Sequence, residues 1–359
     1  MMRCGNILLR FKILFCVLKK FLIIQTAFTG DVILATSVVE KLHQFFPDAQ
    51  IDFLLRKGNE GLLENHPFIH EVIVWDKQQN KLQNLFKIIS KVRKNKYDVV
   101  VNLHRFASSG LITALSGAKE KIGFDKNPFS FLFTKKIVHV ISHPSSWRAA
   151  GGEAVHEIER NNDLIKNLTD NIPAKPKLYP TDSDFKEISS FTSHISHLNS
   201  YICIAPASVW FTKQFPKEKW VELINKLPDD LNVYLLGSSS DAILCEWIIS
   251  NVSRLKSQIS FNMAGKLSIL QSAALMKGAK MNYVNDSAPL HIASAMNAPV
   301  TAVFCSTVPA FGFGPLSDQS KVVETKVELD CRPCGLHGFK TCPKGHFKCA
   351  LTIDVKELL

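Results

Sequence analysis

The stretch FLIIQTAFTGDVIL, residues 21–34, decides the fold. Phe21, Leu22, Ile23 and Ile24 form a continuous apolar run, the pattern of a short strand buried on both faces. A turn closing on Thr29-Gly30-Asp31 follows, and a helix is expected over 32–46. A carboxylate placed where a strand hands over to a helix lies at the C-terminal edge of an α/β sheet, where such sheets bind ligands.

The same alternation continues outward from this segment. Strand patterns at 51–55, 72–75 and 98–103 are separated by helix patterns at 82–94 and from 108 onward. Short strands are expected at 121–124 and 136–140, and a long helix at about 154–168. Strands joined by helix-length crossovers imply a parallel sheet covered on both faces. Residues 172–184 carry Pro173, Pro176 and Pro180 and read as an interdomain linker. A second series follows, with strands at 201–205, 233–237, 281–284 and 300–304 and helices at 217–226, 241–251 and 289–296.

The fold class is therefore α/β, with two doubly wound, Rossmann-like domains facing across a cleft. Residues 1–17 read as an extension outside the fold and 18–172 as the first domain. Residues 173–199 form the linker and the start of the second domain, which occupies 200–359 and ends in a cysteine-rich tail.

A chain of 359 residues suits two domains, and 46% hydrophobic with 21% charged residues is a globular composition. The net charge of +11 points to an anionic partner. No basic stripe interleaved with aromatic residues and no nucleic-acid module is present, which argues against nucleic acid. Lys12, Lys19 and Lys20 interrupt the early apolar residues, and no small-residue cleavage site precedes Phe21. No uncharged apolar run reaches the roughly 20 residues that span a bilayer. The expected location is the cytoplasm, with peripheral contact at the inner membrane surface through charge.

Three segments carry chemistry. Asp31 reads either as a helix-start carboxylate or as a general base, and its place at the positive end of a helix is expected to depress its pKa. Asn285-Asp286-Ser287-Ala288-Pro289-Leu290-His291 follows an apolar strand. Its small residues and the proline of a first helical turn suit close approach of an anion to free backbone amides. Ala205-Pro206-Ala207-Ser208, with Lys213 close behind, adds a hydroxyl and an ammonium at another strand edge. Lys213 there would neutralise charge on a departing diphosphate.

Together these segments resemble the ADP-heptose:lipopolysaccharide heptosyltransferases, glycosyltransferase family 9. The marks are the early Thr-Gly-Asp, the lysine loop running into 213–220, the Asp-Ser-Ala-Pro-Leu-His segment and the tail at 331–349. The likeness covers nearly all of residues 18–359, although members often carry Thr-Gly where this chain has Ser287-Ala288. It implies the GT-B architecture, an ADP-heptose donor, an anionic lipopolysaccharide inner-core acceptor, inversion of the anomeric centre, and no cofactor or metal. It assigns Asp31 as base and Lys213 as a second catalytic residue. Ser208, Asp241, Asp286, Ser287, Ala288 and His291 would line the donor site, Asp241 meeting the ribose. Arg56, Lys57, Arg105 and Arg148, at or beyond strand ends of the first domain, are candidates for gripping the acceptor. The alternatives are a transferase of the same fold with another nucleotide sugar, or a non-catalytic nucleotide- or sugar-binding protein.

The pair Asp182-Ser183-Asp184 has the spacing of a divalent-ion motif, but it sits in the linker before a helix and reads as a cap. In the tail, Cys331-x-x-Cys334 begins like a zinc pair, and Cys342, Cys349, His337 and His346 offer further ligands. A second Cys-x-x-Cys is absent, so packed thiols in a structural tail away from the cleft are the favoured reading.

Overall fold

The structure, a computed structural model, describes residues 18–140, 155–195 and 200–359. The first sheet holds β1 (Lys20–Ile24), β2 (Gln50–Arg56), β3 (Glu71–Trp75), β4 (Val99–Asn102), β5 (Glu120–Phe124) and β6 (Lys135–Ile137), with α1 (Thr29–Phe45), α2 (Lys81–Asn95) and α3 (Ala107–Leu115). Between the sheets lie α4 (Glu157–Asp163) and α5 (Asp182–Ile195). The second sheet holds β7 (Tyr201–Ala205), β8 (Asn232–Leu235), β9 (Ser260–Asn262), β10 (Asn282–Asn285), β11 (Val300–Phe304) and β12 (Ser320–Glu324). Its helices are α6 (Lys217–Lys226), α7 (Ala242–Asn251), α8 (Arg254–Gln258), α9 (Ile269–Gly278) and α10 (Ala288–Met296), with a short α11 (Lys348–Leu351) in the tail.

Every strand pairing is parallel. The orders are β3-β2-β1-β4-β5-β6 and β12-β11-β10-β7-β8-β9. Numbered from the first strand of each sheet, both are the doubly wound order 3-2-1-4-5-6. In each sheet the order reverses between the first and fourth strands. The switch points therefore lie between β1 and β4, beside Asp31, and between β7 and β10, beside Asp286.

The strand at 21–24 is buried on both faces, as its unbroken apolar run requires. Phe21 and Ile23 join one core cluster, while Leu22 and Ile24 pack with Leu85, Ile88, Ile89 and Val92 of α2 in another. The first of these clusters does not stop at the sheet. It runs through Val32, Ile33 and Val39 of α1 into Leu270 of α9 and Leu290 of α10. α1 packs directly on both α10 and α4, and α5 packs on α9.

Several boundaries differ from expectation. α1 starts at Thr29, which places Asp31 inside the first turn instead of before the helix. The helix expected at 154–168 is the shorter α4 followed by turns, and residue 154 lies outside the described residues, as do 1–17. The edge strands β9 and β12 escaped the sequence pattern because they are short and largely polar or exposed. Among the described residues, no helix is long and apolar enough to cross a membrane.

Asn285, fully buried at the end of β10, ties the second switch point together. Its Oδ1 accepts from the Phe215 N–H at 2.9 Å, and its Nδ2 donates to the Pro206 carbonyl at 2.8 Å. Asn285→Ala would strand both backbone groups in the interior. A loss of roughly 1–3 kcal/mol is expected, read as a lower urea midpoint; an unchanged midpoint would show that the amide is not the fastener.

Candidate active site

The Asp31 carboxylate closes its own helix start, Oδ2 accepting from the Phe28 N–H at 3.1 Å. The helix start was expected to depress this carboxyl, and the structure reverses that expectation. Its pKa is raised from 3.8 to about 6, foremost by burial and next by the neighbouring Glu157 carboxylate. The Phe28 N–H, the residue's own N–H and Arg105 pull downward and are outweighed. A carboxyl titrating there is mostly ionised at neutral pH and is a stronger base than one held far lower.

Glu157, on α4, had no local signal in the sequence because it comes from the segment between the two sheets. It is buried and paired with Arg160, whose Nε and Nη2 reach its Oε2 at 2.8 and 2.7 Å. Arg160 also donates to the carbonyls of Val155 and Phe311, tying α4 to the second half of the chain.

A cationic group borders Asp31 on the first sheet. Arg56 lies over the Phe28 ring, 4.8 Å from its centroid. Lys77 donates to the carbonyl and hydroxyl of Thr26 at 3.1 and 2.9 Å, and Thr26 Oγ1 in turn meets His104 Nδ1 at 3.1 Å. Burial and Arg56 push the Lys77 ammonium down to about 8. Burial, then Lys77, Arg105 and Arg56, push His104 down to about 3, so it stays neutral. Arg56 and Arg105 thus share this edge, whereas Lys57 points at Asp76, 3.1 Å away. Arg148 lies outside the described residues. Lys77 and His104 were not singled out from sequence, although both follow strand ends and the edge rule that found Arg105 applies to them.

Across the junction, Lys213 and Asp286 form an ion pair at 2.7 Å, their side chains 14% and 7% exposed. The Thr307 hydroxyl donates to the same carboxylate oxygen at 2.6 Å. Ser287 is the N-cap residue of α10, with Ala288 and Pro289 opening the helix. Ser208 lies half-buried in the loop after β7, where its carbonyl accepts from Gln214 Nε2 at 2.7 Å. Asp241 sits apart from Lys213, after β8, and its Oδ2 accepts from the N–H and hydroxyl of Ser238 at 2.8 and 2.7 Å.

His291 is buried one turn into α10, and burial, His156 and Lys213 push it down to about 3. It is a neutral imidazole, so it offers an anion a hydrogen bond and no charge. Its Nδ1 has no hydrogen-bond partner among the described residues. The ring lies flush against Gly30: a Cβ there would stand 2.7 Å from His291 Cδ2. The residue preceding Asp31 thus touches the buried histidine of α10.

The cysteine-rich tail was expected to lie away from the cleft, and the structure overturns this. Phe339 and Thr212 exchange backbone contacts beside Lys213, with Thr212 N–H to Phe339 O at 3.1 Å and Phe339 N–H to Thr212 Oγ1 at 2.8 Å. Arg332 donates to the carbonyls of Cys305 and Thr307 at 2.7 and 2.8 Å. Cys331, Cys334, Cys342 and Cys349 are free thiols, and Cys331 Sγ lies 3.7 Å from His346 Nε2. Among the described residues, no group of three or more His, Cys, Asp or Glu side chains is arranged to hold a metal ion. Asp184 serves its helix start, Oδ2 accepting from the Thr181 N–H and hydroxyl at 2.7 Å.

A family model described as glycosyltransferase family 9 (heptosyltransferase) matches residues 85–338. The chain belongs to this family. Lipopolysaccharide heptosyltransferase 3 of Escherichia coli is 27% identical over 78% of this chain and 82% of its own length. Lipopolysaccharide heptosyltransferase 1 of Campylobacter coli is 23% identical over 95% of this chain and 97% of its own. The solved structure of the E. coli ADP-heptose lipopolysaccharide heptosyltransferase II superposes with a TM-score of 0.73 at 22% identity, over 88% of this chain and 95% of that one. The fold is the GT-B fold of the heptosyltransferases, and the protein is a family 9 glycosyltransferase of the lipopolysaccharide-core type.

In this family 9 enzyme, the raised pKa of Asp31 makes a stability prediction. The folded protein holds an extra proton between the reference value of 3.8 and about 6. Asp31 therefore weakens the fold as pH rises through that window, and the full penalty stands above it. Asp31→Asn cannot ionise. It should melt above wild type at pH 8, with the difference closing toward pH 4; a variant that melts lower at pH 8 would contradict this origin of the shift.

Proposed function

We propose that the enzyme transfers heptose from ADP-heptose to the lipopolysaccharide inner core with inversion at the anomeric carbon. The observation that supports this reading is the contact of Gly30 with His291, which brings the helix start carrying Asp31 against α10, the helix that follows Asp286. The first domain, residues 18–172, would bind the acceptor and residues 200–359 the nucleotide sugar, with 173–199 leading from one to the other.

In the proposed step the acceptor hydroxyl oxygen attacks the anomeric carbon and its proton passes to Asp31. The bond from the anomeric carbon to the phosphate oxygen breaks as the new bond forms, and ADP leaves with the electron pair. Lys213 and the amides opening α10 would take up the charge on the diphosphate. Asp286 and Thr307 would aim Lys213, and Ser208, Ser287 and Ala288 would line the phosphates. Asp241 would meet the ribose once released from Ser238. Arg56 and Arg105 would grip the anionic acceptor, with Lys57 and Arg148 in supporting places. The net charge of +11 supports peripheral contact with the anionic cytoplasmic face of the inner membrane.

Asp31→Asn keeps the shape and the helix-start hydrogen bond but removes basicity. Donor binding should survive while kcat falls about 10²–10⁴-fold. In wild type, kcat/KM should decline below pH of about 6 as Asp31 takes up its proton. Near-normal turnover of the variant would remove the base from this mechanism.

The charge on the leaving group is assigned here to Lys213 and backbone amides, with no divalent ion. Turnover should therefore persist in EDTA, and ADP-heptose should be preferred in a panel of nucleotide sugars assayed by released nucleotide. Loss of activity in EDTA with recovery on adding magnesium or manganese would overturn the metal-free reading.

A further inference from the structure

The tail delivers one side chain to the cleft that the mechanism above leaves unused. Gly338, with φ of +74°, packs so closely on the lysine loop that a Cβ there would stand 2.8 Å from Thr212 Oγ1 and 3.1 Å from Lys213 Cγ. The loop is held from both sides: Thr212 bonds to Phe339, and Ser306 Oγ donates to Thr212 Oγ1 at 3.0 Å. The backbone preceding Gly338 is therefore anchored beside Lys213, and its residue is His337.

That imidazole is exposed, and its electrostatic neighbours come from three separate strand edges: Lys213 after β7, Asp286 after β10 and Arg105 after β4. It is thus a tail residue that faces charged groups of both halves of the enzyme. Asp286 is already engaged by Lys213 and Thr307. Lys213 and Asp286 offset each other, so Arg105 leaves the three groups with a net positive charge.

We propose that His337 is a phosphate-contacting residue of the donor site, hydrogen-bonding the diphosphate beside Lys213. The proposal rests on the ADP-sugar reading given above. In the free enzyme His337 is held below its ordinary pKa by partial enclosure, then Lys213, then Arg105, against an opposing pull from Asp286. It is therefore neutral near pH 7, and an arriving diphosphate favours its protonation. Nucleotide binding then draws a proton onto this ring, which an uncharged structural residue would not do.

The test is isothermal titration of ADP into the full-length protein at pH 7, in two buffers of different ionisation enthalpy. The proteins are wild type, His337→Gln and His337→Ala, all with melting temperatures recorded. Wild type should bind ADP, and His337→Ala should bind about tenfold more weakly, as for the loss of one hydrogen bond to a charged group. His337→Gln should recover part of that affinity but take up fewer protons than wild type. Equal affinity and equal proton uptake in all three folded proteins would overturn the proposal. If wild type fails to bind ADP at all, the ADP-sugar reading falls, and this proposal with it.

Discussion

A missing side chain at Gly30 lets two helix starts meet, and the rest of the site is arranged around that contact. α1 rises from the first switch point and α10 from the second, and they can close together only because Gly30 presents no Cβ to the His291 ring. The same contact puts the charged groups of each sheet edge within reach of one shared space. Each sheet edge alone would offer a shallow crevice; joined at this point, they bring a carboxylate and an ammonium to one cleft. The doubly wound order supplies the two edges, and the glycine allows them to be used together.

Burial then sets the chemistry more strongly than the helix dipoles do. Asp31 stands at the favourable end of α1 and accepts a backbone N–H, yet enclosure and the Glu157 carboxylate hold its proton more tightly than free water would. His291, enclosed on α10 near Lys213, moves the opposite way and loses its proton. Both shifts follow from one rule, that a low-dielectric setting disfavours whichever form carries charge. The junction therefore contains one satisfied ion pair, one carboxyl titrating at about 6 and one neutral ring.

Much of this was legible in the sequence, for reasons that vary by residue. The buried strand at 21–24 and the small-residue helix start at 287–289 have strong local patterns, so Asp31, Asp286 and Ser287 were placed at strand edges correctly. β9 and β12 carry too little apolar pattern to be seen as strands without their neighbours. Glu157 stood out in no pattern, because its approach to Asp31 depends on how α4 crosses between the sheets. The direction of the Asp31 shift was misread for the same reason: the dipole is local, whereas the enclosing groups are distant in the chain. The tail was expected away from the cleft because chain order says nothing about where a loop returns, and its bonds with Thr212 and from Arg332 reveal where it lies.

The apolar cluster shared by α1, α9 and α10 limits how the enzyme can breathe. A cleft between domains joined by a bare strand can swing wide, but here such a swing would draw Val32, Ile33 and Leu290 apart and wet a continuous core. Any motion that keeps this core dry must keep α1 and α10 in contact, as sliding of packed helices does. Substrates would then enter through a gap widened by shear, and the opening would be small and steered by the grain of two packed helices.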